Sequence, residues 1–105
     1  MGDIVGVGTE LCDAISAYFF KIIIMEALLT TVKEKLNKYF SLCGGSRLPI
    51  VFRKDGKQEV ILVYLQEDEL CLKFLKDRNK DYNYSLQDLK DLESIIDARL
   101  EYYNL

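Results

Sequence analysis

Two tight turns, Asp55-Gly56 and Glu67-Asp68, constrain this chain more than any other feature. Asp-Gly between apolar runs is the strongest short hairpin signal, because a type I′ turn needs positive φ at both central positions. Glu67-Asp68 is a weaker second turn. Taken as two-residue turns, they fix a register that can be checked against itself. The first hairpin pairs Ile50 with Ile61 and Phe52 with Glu59. The second pairs Leu65 with Leu70, Val63 with Leu72 and Ile61 with Phe74. One face then collects Ile50, Phe52, Ile61, Val63, Leu65, Leu70, Leu72 and Phe74, with Glu59 as its only charge. A register wrong by one residue would turn its apolar set to the other side, so agreement between the two turns identifies the core face.

The opposite face carries Val51, Val60, Leu62, Tyr64, Cys71 and Leu75, mixed with Arg53, Gln58 and Lys73. A solvated sheet face is ordinarily more polar than this. Two readings stand: central strands that tolerate Val and Leu, or a second contact surface.

Before the meander runs a long helical segment. Ile15, Tyr18, Ile22, Met25, Leu29, Val32, Leu36 and Tyr39 recur at alternating spacings of three and four, one continuous stripe. Phe20, Ile24, Ala27 and Leu28 lie roughly opposite, so no single neighbour covers both faces of Ala14 to Val32. Either the rest of the domain or another chain must cover the second face. Thr9 is the expected N-cap, with Glu10 and Asp13 favourably placed against the helix dipole. Gly44-Gly45 is the stop signal. Unbroken, such a helix is about 45–50 Å long, more than a compact domain of this size is wide. It either projects or breaks, and the β-branched run Ile22-Ile23-Ile24 is its weakest place. Phe19 to Met25 could even read as a strand.

After the meander, Lys76 to Tyr84 reads as a charged loop. Ser85, with Asp88 three residues on, opens the last helix with a capping-box pattern. Leu86, Leu89, Leu92, Ile96, Leu100 and Tyr103 make its apolar face, widened by Ile95. The expected fold is one α+β domain over residues 1–105, ordered α-β-β-β-α. A long N-terminal helix of about 10–42 and a C-terminal helix of about 85–103 pack on one face of a three-stranded antiparallel meander of about 48–76.

The bulk numbers fit a globular chain, with 50% hydrophobic and 30% charged residues. The net charge of −3 is too mild for a general polyanion binder or a DNA mimic. From Ser85 onward, five acids face Lys90 and Arg99, which gives −3 and leaves the rest of the chain balanced. Cys12, Cys43 and Cys71 show no paired spacing, and nothing resembles a secretory leader, so reduced thiols in a cytoplasmic protein are expected. Lys21 and Glu26 interrupt the apolar segment well short of the ~20 residues a membrane span takes, so no membrane partner is expected.

No constellation carries catalytic chemistry. With no histidine in the chain, the commonest general base, the Ser-His and Cys-His nucleophile arrangements and most zinc sites are missing. Glu67, Asp68 and Glu69 form a turn, and Asp88 with Asp91 a helix start and solvated face, so neither group converges on a substrate. Catalytic residues, cofactor and metal are all expected to be none.

The string Ile4-Val5-Gly6-Val7-Gly8-Thr9-Glu10-Leu11 resembles the opening strand of holo-acyl-carrier-protein synthases. That resemblance implies a strand whose terminal acid, here Glu10, helps bind magnesium. It stops at Leu11, and the family's later Trp/Lys/Glu-containing helix has no counterpart in a chain without tryptophan. The α-β-β-β-α order resembles that of double-stranded-RNA-binding domains, which implies a nucleic-acid-binding role. Those domains use basic residues at the start of the last helix and a histidine in the first hairpin loop. Here the helix opens Ser85-Leu86-Gln87-Asp88 and the loop is Lys54-Asp55-Gly56-Lys57.

The leading expectation is a small non-enzymatic interaction module that self-associates, as a homodimer, or docks on a protein partner as an inhibitor, immunity or assembly factor. Its candidate contact residues are Tyr18, Phe20, Ile24, Leu28, Leu62 and Tyr64, with aromatics as anchors. An acidic ladder of Asp88, Asp91, Asp97 and Glu101 is the candidate for a basic target. Nucleic-acid binding stands second. It draws on three basic clusters: Lys33, Lys35 and Lys38; Arg53, Lys54 and Lys57; and Lys73, Lys76, Arg78 and Lys80 with Tyr82 and Tyr84. Each cluster lies close to acids, and no large single-sign surface is visible.

Overall fold

The structure, a computed structural model, describes residues 2–104, with side chains described from Phe19 to Tyr103. The elements run α1 (Gly2–Cys43), β1 (Arg47–Lys54), β2 (Lys57–Gln66), β3 (Glu69–Phe74) and α2 (Leu86–Asn104). This is the α-β-β-β-α meander expected, with strand order β1-β2-β3.

The hairpins follow the turn chemistry residue by residue. Asp55 and Gly56 have φ of 54° and 75°, and Glu67 and Asp68 have 52° and 66°, so both turns are left-handed at both central positions. The register pairs Ile50 with Ile61, Phe52 with Glu59, Val63 with Leu72 and Ile61 with Phe74, as the turns require. Leu48, Ile50, Phe52, Ile61, Val63 and Leu72 are buried on the expected face, with Leu65, Leu70 and Phe74 packed against them. Glu59 is half-buried at the end of that face, beside Lys54, Lys57 and Lys80.

Edge strands are managed by two devices. Lys54 and Lys57 close a two-residue turn, so hydrogen-bonded pairs alternate from there and Pro49 faces Leu62 across a non-bonded pair. The N–H that proline lacks would have pointed away from β2, where its absence discourages another strand from adding. On the far side, the Phe74 N–H donates to the Lys80 carbonyl at 3.1 Å and the Tyr82 N–H to the Leu72 carbonyl at 2.9 Å. The loop thus covers part of the outer edge of β3.

The C-terminal half of α1 and all of α2 lie on the core face, packing mainly on each other. Val32, Leu36 and Tyr39 bury the stripe of α1, while Leu89, Leu92, Ile96 and Leu100 bury that of α2. Lys35 ties the two helices together, reaching Asp97 at 2.9 Å and Glu93 at 3.4 Å. Both carboxylates raise the Lys35 pKa, the hydrogen bond to Asp97 most of all.

Three expectations about α1 need correction. It starts at Gly2 rather than at Thr9, and residues 4–11 are helical, not the strand implied by the likeness to acyl-carrier-protein synthases. Side-chain capping by Thr9 is not required when the helix runs on through it. The helix also passes through Ile22-Ile23-Ile24 without a break. β-branching costs a helix only tenths of a kcal/mol per residue, too little to interrupt a long run. Its stop agrees with expectation: Gly44 sits at φ 74° and its N–H donates to the Phe40 carbonyl at 2.9 Å, a left-handed C-terminal cap.

Candidate interaction surfaces

Three surfaces compete for the role of contact site, and the first follows from the length of α1. At 1.5 Å per residue its 42 residues span about 63 Å. The molecule measures 62 × 32 × 27 Å, so the helix sets its long axis. Met25 is the first described residue of α1 that packs on the core, followed by Leu28, Leu29 and Val32. A helix as long as α1 is about twice the 32 Å width of the molecule, so its N-terminal part extends past the body.

Near the root of that extension Phe20 is 64% exposed and Ile23 59%, with Phe19 and Ile22 also exposed. Ile24 is half-buried. Tyr18 lies within α1, but its side chain falls outside the described residues, as do those of Ile15, Glu10 and Cys12. Leu28, a candidate contact residue from sequence, is half-buried against the chain's own core. On this helix the exposed large apolar residues cluster at Phe19, Phe20, Ile22 and Ile23, with Leu42 exposed at its other end.

The back of the sheet is the second surface. Val51 and Leu75 are exposed there, Val60, Tyr64 and Cys71 half-buried, and Leu62 buried. The Arg47 guanidinium lies 5.8 Å from the centroid of the Tyr64 ring. Arg47, Leu62, Tyr64, Gln66, Lys73 and Arg78 enclose a concavity of about 320 Å³.

The acidic ladder on α2, the third surface, is partly spent inside the domain. Asp88 accepts the Ser85 N–H at 2.9 Å and the Tyr82 hydroxyl at 3.1 Å, while the Ser85 hydroxyl accepts the Asp88 N–H at 3.1 Å. This is the capping box expected, so Asp88 holds the start of α2. Asp97 binds Lys35. Asp91 accepts the Gln87 amide at 3.0 Å on the exposed face, and Glu101 is exposed.

The basic clusters are similarly divided. Lys35 is taken by α2, Lys73 by Asp81, and the ammonium groups of Lys54 and Lys80 lie over the rings of Tyr82 and Phe74. Tyr82, a candidate base-stacking residue by sequence, is buried instead. Its ring stacks on Phe52 at 5.2 Å and meets Phe74 edge-on at 5.6 Å. Burial and the Asp88 carboxylate push its hydroxyl pKa up to about 12. No sequence signal marked this residue as core: it is one tyrosine in a charged loop, without periodicity on either side.

Among the described residues no group of His, Cys, Asp and Glu could hold a metal ion, and no helix is long and apolar enough to cross a membrane. Cys43 and Cys71 are free thiols. No protein-family model matches this chain, and the searches of curated proteins and of solved structures returned no match.

Proposed function

We propose that this protein is a non-enzymatic interaction module that self-associates through the extending half of α1. One observation carries the reading: a continuous helix leaves the body with Phe20 and Ile23 largely exposed. Helices in proteins owe most of their stability to packing of an apolar face, and the Ile22-Ile23-Ile24 run has weak intrinsic preference for helix. Such a segment calls for a covering surface. The occupant best matched to it is a second copy of the same helix. Phe20 and Ile23 stand one turn apart on the side of the helix away from the stripe that the core covers, the spacing of a helix–helix contact. Every copy exposes the same patch, so a two-fold pairing covers both at once.

Assembled in this way, the chain would offer the outer face of α2, with Asp91 and Glu101 exposed, to a basic protein partner as an inhibitor, immunity or assembly factor. A cytoplasmic setting suits its free cysteines.

Light scattering across a concentration series tests the assembly. The parent chain should show the mass of a dimer or larger, and Phe20→Glu with Ile23→Glu should return it to a monomer with unchanged far-UV circular dichroism of the body. A parent that stays monomeric at every concentration, or assembly that survives both substitutions, would overturn the reading. Partition of the parent onto lipid vesicles without self-association would assign the helix to a membrane surface instead.

A further inference from the structure

We propose that the concavity on the back of the sheet binds a small phosphate monoester. Its floor is Leu62, only 7% exposed although it stands on the face away from both helices. Long side chains shield it: Arg47 from β1, Tyr64 and Gln66 from β2, Lys73 from β3 and Arg78 from the following loop. An apolar floor beneath a polar rim is the usual composition of a small-molecule site.

The charge on the rim selects the ligand. Three of its residues are cationic and none is a carboxylate, in a chain whose net charge is −3. Asp81, outside the rim, pairs with Lys73, which still leaves Arg47 and Arg78 to face an incoming anion. Guanidinium groups present paired donors whose spacing matches two phosphate oxygens. The Tyr64 hydroxyl and the Gln66 amide add neutral donors. The volume of about 320 Å³ is at the lower end for ligand sites, sized for a phosphate with a small organic group. Leu62 and the Tyr64 ring then meet the organic part.

This surface lies apart from the extending half of α1, so the proposal stands independently of self-association. The test is a titration of the full chain with AMP and with inorganic phosphate at low salt, read from amide and arginine side-chain NMR shifts. Both probes should saturate, moving Arg47, Tyr64, Lys73 and Arg78 together. Arg47→Ala and Arg78→Ala alter exposed side chains and leave the core intact; each should weaken AMP binding roughly ten-fold, the loss of one charge-assisted hydrogen bond. Arg53→Ala, on the same face but outside the concavity, should leave AMP binding unchanged. The site is wrong if AMP fails to saturate, or if Arg53→Ala weakens binding as much as Arg47→Ala does. It is equally wrong if an oligothymidylate of eight nucleotides binds more tightly than AMP, with affinity rising with strand length. That outcome would make the face a track for single-stranded nucleic acid.

Discussion

Tyr82 joins the sheet to α2 through one side chain. Its ring stacks on Phe52 and abuts Phe74, while its hydroxyl donates to the Asp88 carboxylate that also caps α2. Removing the hydroxyl alone, in Tyr82→Phe, leaves the ring packing and should cost about 1–2 kcal/mol in urea denaturation. Removing the ring, in Tyr82→Ala, should cost about 3–5 kcal/mol by opening a cavity. The same residue sets a pH dependence. Below pH 10 folded and unfolded chains both hold the phenolic proton, but between the ordinary value of 10.0 and about 12 only the folded chain keeps it. The unfolded state then binds fewer protons, so stability falls as pH rises through that window. The loss should be of the order of 2 kcal/mol, and Tyr82→Phe should flatten it. An unchanged alkaline limb in the phenylalanine variant would show that Tyr84 and Tyr103, whose pKa values burial also raises, carry the effect.

Turns, caps and strand alternation are local, and those elements were legible in the chain. Asp55-Gly56, the Ser85/Asp88 box and the Gly44 stop each report their geometry within four residues, and the two turns reported the register between them. The start of α1 was not legible, because Thr9 is as acceptable inside a long helix as at its end. Continuity through Ile22-Ile23-Ile24 was equally ambiguous, since β-branched residues serve helix and strand with a small energy difference. The concavity at Leu62 was beyond reach: it needs Arg47 of β1 brought across the sheet to Lys73 and Arg78, which no local signal reports. The second hairpin offers a test at this scale. Glu67 and Asp68 both occupy left-handed backbone, where a side chain costs about 1–2 kcal/mol that Asn and Gly largely avoid. Glu67→Asn with Asp68→Gly should therefore raise the urea midpoint, by about 1 kcal/mol of stability. A lower midpoint would mean that the native side chains make contacts worth more than the relieved strain.

The whole molecule is drawn out along α1. Its radius of gyration is 18.1 Å, against about 13 Å for a compact domain of 100 residues. Removing residues 1–20 should leave the core intact, since the first described contact of α1 with it is Met25. Small-angle scattering should then report a compact monomer, with the urea midpoint of the Phe20→Glu/Ile23→Glu variant. An unfolded product would show that the extension supports the body. Because no linker divides α1, its tip and its buried half also behave as one mechanical rod. A pull along the axis loads Val32, Leu36 and Tyr39 in shear, so all three share the force. A sideways push makes the region of Met25 and Leu29 a fulcrum and prises the buried residues away in turn. Whatever grips the tip therefore meets a body that is strong in one direction and yielding in the other.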